Sequence, residues 1–355
     1  MRNNQLIKFY KKKKIIITGH TGFVGSWLSY ILKSYGSEIY GISLKPKDQP
    51  NNFSLLKIKN LIKKSYIVNI LDHKILHKIF KTVKPDIVFH LAAQPYVLES
   101  YKNPKQTIET NYNGTFNILE CIKENKIKHN IIITTDKVYE NLEKENYFKE
   151  SDKLGGKDIY SASKAACEIL CESYFQSFLK SENIYLDTAR AGNIIGGGDF
   201  GKDRLIPDIV KSIKNKKTFF VRSPNSIRPW QHIFDVCFGY LLLPLNQNKR
   251  KLKKMSWNFG PDKQDSKIEV KKIIKFFKIN FRNKFKYRLK KKIFNESVYL
   301  LLNNNKSKKL LKWKPKFNFS QSIYETMNWY NTLLFKKKYL TKFVENSLSN
   351  YKKKL

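Results

Sequence analysis

Apolar residues along this chain gather into short unbroken runs separated by longer amphipathic stretches. Ile15-Ile16-Ile17, set between Lys11–Lys14 and a glycine turn, is β-branched at every position, as in a strand buried on both faces. Similar short runs recur at residues 37–43 (SEIYGIS), 66–70 (YIVNI), 86–91 (DIVFHL) and 130–135 (NIIITT). Helical patterns lie between them, from Phe23 to about Ser34, over 72–81, over 111–125 and over 160–179. Gly114, inside the third of these, costs about 1 kcal/mol relative to Ala, so close packing is its expected reason. The alternation predicts an α/β fold with a doubly wound, parallel Rossmann-type sheet. Residues 141–158 are polar, carry Gly155-Gly156 and read as a loop. Beyond about Ala191 the pattern loosens. Gly196-Gly197-Gly198 reads as a flexible loop, 231–243 as a helix and 257–260 as a short strand returning to the first unit.

The division expected from this pattern is a cofactor-binding domain of residues 1–190 with about 229–263. A smaller, discontinuous α/β substrate domain at the C-terminal side takes about 191–228 with 264–335. A Lys-rich tail, 336–355, is expected to fray at its end.

Strand, glycine turn and helix meet at IIITGHTGFVG, residues 15–25, with Gly19, Gly22 and Gly25 three apart. This is the context of a dinucleotide fingerprint: one glycine turns the chain, one admits a pyrophosphate, one lets helix and strand pack closely. The helix N-terminus then offers N–H groups to the phosphates. At the end of the second run, where an acid would hold the ribose 2′-hydroxyl of NAD, stand Ser43, Leu44 and Lys45; the nearest acid is Asp48. Lys45 suits a 2′-phosphate instead, so the choice between NAD and NADP stays open locally. Asn69-Ile70 fall near the adenine, and Leu91 with Ala92-Ala93 allow the backbone close to a cofactor.

Composition narrows the class. Hydrophobic residues make up 41% and aromatics 14%, which is globular rather than disordered. No apolar run approaches the roughly 18–20 residues of a membrane span, and MRNNQLIKFYKKKK lacks the apolar core of a signal peptide. The four cysteines contain no C-x-x-C pair, and Cys167 and Cys171, one helical turn apart, read as core packing; no metal is expected. A reducing, cytoplasmic setting follows. The formal charge of +40 invites a nucleic-acid reading, but only eight of the 69 basic residues are Arg, and the lysines are scattered over every segment beside abundant Asn and Ile. That is compositional bias, not a patch, so no nucleic-acid partner is expected. Four of the eight Arg do cluster, at 190, 204, 222 and 228.

Tyr160 and Lys164 are four apart on one helix and share a face. A cationic amine beside a phenol favours phenolate, which can take a proton from a substrate hydroxyl while a nicotinamide takes the hydride. Thr135, at a strand end, can bond the same substrate oxygen. His90 reads as packed rather than catalytic.

These stretches resemble the extended short-chain dehydrogenases/reductases that act on nucleotide sugars, and among them the CDP-glucose 4,6-dehydratases. The resemblance is carried by Thr18-Gly19-His20-Thr21-Gly22-Phe23 with Gly25, His90 with Ala92-Ala93-Gln94-Pro95, Thr135-Asp136-Lys137, and Tyr160-Ser161 with Ser163-Lys164. It continues through Arg190-Ala191-Gly192-Asn193, Asp203-Arg204, Arg228-Pro229-Trp230-Gln231-His232 and Trp257-Asn258-Phe259-Gly260. The resemblance implies NAD as cofactor, held by Gly19, Thr21, Gly22, Phe23, Gly25, Ser43, Asn69, Ile70, Leu91, Ala92, Ala93, Tyr160 and Lys164. It implies catalysis by Thr135, Asp136, Lys137, Tyr160 and Lys164. It implies a CDP-glucose site with Gln94, Asn193, Arg204, Arg228 and His232, and a homodimer or higher homo-oligomer through 111–125 and 160–179. Arg190 is open between phosphate binding and a structural place at a strand end.

Two positions depart from the family pattern. Its Gly-Asp at the third strand stands here as Val68-Asn69, and a late Leu-x-Leu-Asp ends in Asn303. A sugar-nucleotide C4 epimerase shares the glycines, Thr, Tyr and Lys but needs no acid/base pair such as Asp136-Lys137. A non-catalytic NAD-sensing or polyanion-binding protein has no use for an intact Tyr160 and Lys164.

Overall fold

Seven parallel strands form the central sheet of the computed structural model, which describes residues 2–46, 50–221, 223–281, 284–289 and 299–355. Asp48 and Arg222 lie outside the described residues. The strands are β1 (Lys14–Thr18), β2 (Glu38–Ser43), β3 (Lys64–Ile67), β4 (Ile87–His90), β5 (His129–Ile133), β6 (Tyr185–Ala191) and β7 (Lys254–Phe259), in the order β7-β6-β5-β4-β1-β2-β3. Chain direction across the sheet reverses between β1 and β4, which opens a crevice at their C-terminal ends. The principal helices are α1 (Arg2–Tyr10), α2 (Phe23–Lys33), α3 (His73–Val83), α4 (Gly114–Glu124), α5 (Ile159–Tyr174), α6 (Leu205–Lys214), α7 (Ile233–Gln247), α8 (Val270–Phe281), α9 (Phe319–Phe335) and α10 (Leu340–Lys353).

The β-branched runs explain the two-sided sheet. Ile15 and Ile17 point into a core built with α2, α7, α9 and both terminal helices, while Ile16 points into the opposite core with α3, α4 and α5. Short strand pairs stand off this sheet: Ile227–Arg228 with Ile268–Glu269, and Phe219–Val221 with Tyr287–Leu289. Leu301–Leu302 pairs with Tyr147–Phe148. No helix among the described residues is long and apolar enough to cross a membrane.

Several expectations shift. The third strand ends at Ile67, so Val68, Asn69 and Ile70 follow it rather than belong to it. The helix expected over 111–125 opens with a π-turn, Glu109–Asn113, before α4. A side chain on Gly114 would run into Ile70, 2.4 Å from its Cδ1, which is the close packing its position called for. The 196–198 loop is not flexible: all three glycines are buried, a Cβ on Gly197 would sit 1.9 Å from the Trp329 ring, and Trp27 Nε1 donates to the Gly197 carbonyl at 2.8 Å. Nor does the tail fray. Leu340, Val344, Leu348 and Tyr351 are buried on one face of α10, and Tyr351 Oη donates to Asp235 Oδ1 at 2.6 Å. At the other terminus α1 buries Leu6 and Tyr10, and Tyr10 Oη donates to the Leu241 carbonyl at 2.7 Å.

Candidate active site

The glycine turn joins β1 to α2 at the crevice. Gly19 has φ +76°, and a Cβ there would lie 2.8 Å from the Ala92 nitrogen, so the turn after β1 and the end of β4 are in backbone contact. A Cβ on Gly25 would lie 2.2 Å from the Gly19 carbonyl oxygen, which leaves only glycine at the first turn of α2. Thr18 Oγ1 accepts from the Leu91 and Ala92 amides at 3.1 Å each. Gly22 caps α2 without any side-chain cap, so the first-turn N–H groups keep an unsatisfied, electropositive end. That end fits a pyrophosphate.

Thr21 Oγ1 pairs with Ser43 Oγ at 2.7 Å and donates to the Leu44 carbonyl at 3.1 Å, tying the turn to the end of β2. Phe23 follows, half-buried. No carboxylate stands among the described residues directly after Ser43, which are Leu44, Lys45 and Pro46. Asn69 Oδ1 accepts from the Leu71 amide at 3.1 Å, while the Ile70 side chain is buried among core residues.

The catalytic candidates meet where β5 ends. Thr135 caps the tight turn Asp136–Val138. Asp158 caps α5, accepting from the Ser161 amide at 2.9 Å and its hydroxyl at 2.7 Å, and so fixes the turn bearing Tyr160. The Tyr160 hydroxyl bonds Thr135, and Thr135 Oγ1 donates to Asp136 Oδ1 at 3.1 Å. Lys164 Nζ donates to the Ile133 carbonyl at 3.0 Å. Tyr160, Thr135, Asp136 and Lys164 are all buried, and Lys137 half-buried.

Burial dominates their protonation. It pushes the Tyr160 hydroxyl up to about 12, against the Thr135 bond and the charge of Arg204, both of which favour phenolate. The expected lowering of the phenol by Lys164 is therefore absent in the free protein, where burial lowers the ammonium's own pKa and Nζ is spent on Ile133. Burial also raises Asp136, against the charges of Lys137 and Arg228 and the Thr135 bond, so this carboxyl holds its proton to higher pH than usual. Asp136 Oδ2 is buried, has no hydrogen-bond partner among the described residues and lies against Gly192.

Two guanidiniums come from the chain beyond β6. Arg204, at the start of α6, pairs with Asp199 at 3.1 Å and lies 5.3 Å from the Tyr96 ring centre, with about a third of its side chain (36%) exposed. Arg228 is buried, donates to the Ile227 carbonyl at 2.8 Å and is close enough to Asp136 to favour its ionisation. Asn193 presents a buried Nδ2 with no hydrogen-bond partner among the described residues.

Not every expected residue faces this site. His232 is turned into the core: its ring packs on Phe234 and Phe317, and its Nδ1 accepts from the Phe234 amide at 3.3 Å as the cap of α7. It is a capping residue, not a substrate contact. Gln94 spends its amide on the Tyr96 backbone and on Thr107 Oγ1, so it shapes the turn after β4 instead of reaching a ligand freely. Arg190 proves structural, paired with Glu168 at 2.8 Å. His90 is packed between Thr18 Oγ1, at 2.7 Å, and Thr115 Oγ1, at 3.1 Å. Asn111 went unread: from the π-turn its Nδ2 donates to Ser163 Oγ at 2.8 Å and its Oδ1 accepts from the Gln94 amide at 2.8 Å, joining the β4 loop to α5. A polar residue on the inner face of an amphipathic helix was the available signal.

Three buried imidazoles weaken the fold as pH falls, an effect that the buried Asp235, raised to about 6, partly offsets. Burial lowers His20 to about 4 and His90 and His232 to about 3. In the unfolded chain they bind protons near 6.5, so stability is intact above that pH and falls as pH drops below it, by up to about 1.4 kcal/mol per pH unit for each. Melting temperature should be level between about pH 7 and 8 and decline steadily from about pH 6.5 downward; a melting temperature unchanged to pH 5 would contradict these burials.

The sequence profile of the GDP-mannose 4,6 dehydratase family matches residues 16–326. A CDP-glucose 4,6-dehydratase from Salmonella typhimurium is 36% identical over 330 residues, covering 91% of this chain and 91% of that protein. Among solved structures, an epimerase from Methanothermobacter thermautotrophicus superposes with a TM-score of 0.82 at 19% identity, covering 95% of this chain and 98% of its own. A dTDP-glucose 4,6-dehydratase from Bacillus anthracis in complex with NAD gives 0.75 at 23% identity, covering 90% and 97%. At such identities the likeness establishes the fold.

Proposed function

We propose that this chain, which belongs to the GDP-mannose 4,6 dehydratase family, is an NAD-dependent hydro-lyase converting CDP-glucose to CDP-4-dehydro-6-deoxyglucose. The observation that carries the reading is Asp136, a buried carboxyl bonded to Thr135, beside Tyr160, with one oxygen unpartnered among the described residues. Oxidation at C4 needs only Thr135, Tyr160 and Lys164; an acid next to them serves a second step. A C4 epimerase has no such step.

The Gly19–Gly25 turn, Thr21, Ser43 and the Leu91–Ala93 segment would hold NAD, together with Tyr160 and Lys164. NAD supplies a hydride acceptor for C4 and a hydride donor for C6, so none is consumed. Tyr160 takes the proton of the C4 hydroxyl as phenolate, the form that Thr135 and the charge of Arg204 favour and burial opposes. The 4-ketone acidifies the C5 proton, which passes to Lys137 as the neutral amine and returns to C5 when the hydride is delivered to C6. Asp136 gives its proton to the C6 hydroxyl, which leaves as water. Its raised pKa suits it to that task. Arg204 and Arg228 bind the diphosphate through their forks, with Asn193 Nδ2 as a further donor.

The test is turnover of CDP-, dTDP- and UDP-glucose and GDP-mannose. CDP-glucose should give the highest kcat/KM; equal or better conversion of dTDP-glucose overturns the assignment. Calorimetry of cofactor-free protein should show tighter NAD than NADP binding, despite Lys45.

The oligomer is a homodimer formed by the outer faces of α4 and α5. Phe116 and Ile169 on these helices, with Phe178 in the π-turn after α5, are 41%, 57% and 48% exposed, a large apolar surface for two adjacent helices to leave in water. Ile169→Arg should shift the mass measured by light scattering from dimer to monomer; an unchanged mass removes this face. The cytoplasm is the setting, where Cys121, Cys167, Cys171 and Cys237, all buried and free, stay reduced.

A further inference from the structure

Glu168 in α5 and Arg190 in β6 form an ion pair that the chemistry above does not use. Their side chains are 1% and 3% exposed. The Glu168 carboxylate accepts from Arg190 Nε at 3.0 Å and Nη2 at 2.8 Å, Thr134 Oγ1 at 2.5 Å, Thr188 Oγ1 at 2.6 Å and Ser256 Oγ at 3.2 Å. Those donors come from the end of β5, from β6 and from β7. Arg190 Nη1 donates to Tyr139 Oη at 2.9 Å and to the Glu150 carbonyl at 3.2 Å, and the guanidinium lies 5.0 Å from the Tyr139 ring centre. Tyr139 in turn donates to Asn258 Oδ1 at 2.6 Å.

Both ends of this network abut the site. Glu168 lies one helical turn beyond Lys164. Thr134 precedes Thr135, and Tyr139 closes the turn Asp136–Val138. A buried ion pair adds little net stability over apolar packing of similar size, because desolvation offsets attraction. What it does supply is fixed geometry, since five hydrogen bonds from three strands leave the carboxylate a single position.

We infer that the Glu168–Arg190 pair is a positioning bracket, holding the helix with Tyr160 and Lys164 in register with the turn bearing Thr135, Asp136 and Lys137, so that the C4 base and the C6 acid address one sugar. The inference rests on the dehydratase reading of that site. An electrostatic consequence follows. Burial lowers the Lys164 pKa, while Glu168, with Cys167 and Cys171 on the same helix, raises it; His90 of β4 also faces this ammonium.

Two variants test the bracket. Thr134→Val removes one donor to the carboxylate and no charge. Glu168→Gln with Arg190→Met removes both charges together, which avoids stranding one in the interior. Each is assayed for kcat and KM with CDP-glucose across pH, for folded fraction by circular dichroism, and for amide hydrogen exchange over 159–174 in the free protein. Displacement of a reacting group by about 1 Å costs on the order of 10²-fold. In both folded variants kcat should fall about ten- to a hundredfold with KM within about threefold. Exchange over 159–174 should quicken. In the double variant the pH profile of the C4 oxidation step, read as reduced nicotinamide formed in a single turnover, should move to lower pH, because Lys164 loses the carboxylate that raises its pKa. Wild-type kcat and exchange in both variants overturn the bracket, as does a loss of activity that merely tracks folded fraction with an unmoved pH profile. If the parent protein leaves CDP-glucose untouched, the substrate assignment fails, and the exchange measurement alone decides the bracket.

Discussion

Tyr160→Phe should lower kcat for CDP-glucose by about 10²–10⁴ while leaving NAD affinity nearly unchanged. The substitution keeps the buried ring and removes only the hydroxyl, together with its bond to Thr135. The loss of one such bond costs the fold about 1 kcal/mol, too little to unfold it. Beside Thr135, Asp136 is assigned to the later elimination step, and Lys164 Nζ donates to the Ile133 carbonyl. Steady-state turnover with a calorimetric NAD titration checks both halves, and turnover within about threefold of the parent would remove Tyr160 from the chemistry.

Asp136→Asn and Lys137→Met should each separate the two half-reactions. Thr135, Tyr160 and Lys164 remain, so C4 oxidation proceeds. Elimination loses its acid in one variant and its base in the other, and its rate should fall by about 10²–10⁴. In a single turnover the absorbance of reduced nicotinamide should build up with a 4-keto-glucose nucleotide, and little deoxysugar should form. Stopped-flow absorbance and mass spectrometry of the quenched sugar read these quantities. In the parent protein, elimination should weaken as rising pH removes the Asp136 proton, the limb being displaced upward by that group's burial. Deoxysugar formation at the parental rate in both variants would make the pair a bystander.

Six of the seven strands were legible as short apolar runs, β6 with its charged residues was not, and the glycines sit where close contacts leave no room for a Cβ. The catalytic group was legible for a related reason: its members lie at strand ends or one helical turn apart, so local spacing places them. What stayed hidden depends on distant partners. Strand β6 reads YLDTARA, and its buried Asp187 and Arg190 look like surface residues until Arg250 and Glu168 are seen to neutralise them. His232 sits in a run of family residues, yet its ring meets Phe317, far along the chain. In α10 the buried positions 340, 344, 348 and 351 do keep helical spacing, but the lysines around them suggested a solvated tail. The phenol's protonation was misjudged because proximity to Lys164 is visible in sequence and burial is not.

Internal return of the hydride is the claim that sets this reading apart from a dehydrogenase or an epimerase, and CDP-glucose deuterated at C4 tests it in one experiment. With catalytic protein and unlabelled NAD, NMR of the product should show the deuterium at C6 of a 4-keto-6-deoxy sugar, with no net reduced nicotinamide. Deuterium retained at C4 of a CDP-hexose epimer, or found in reduced nicotinamide in amounts matching turnover, would contradict it.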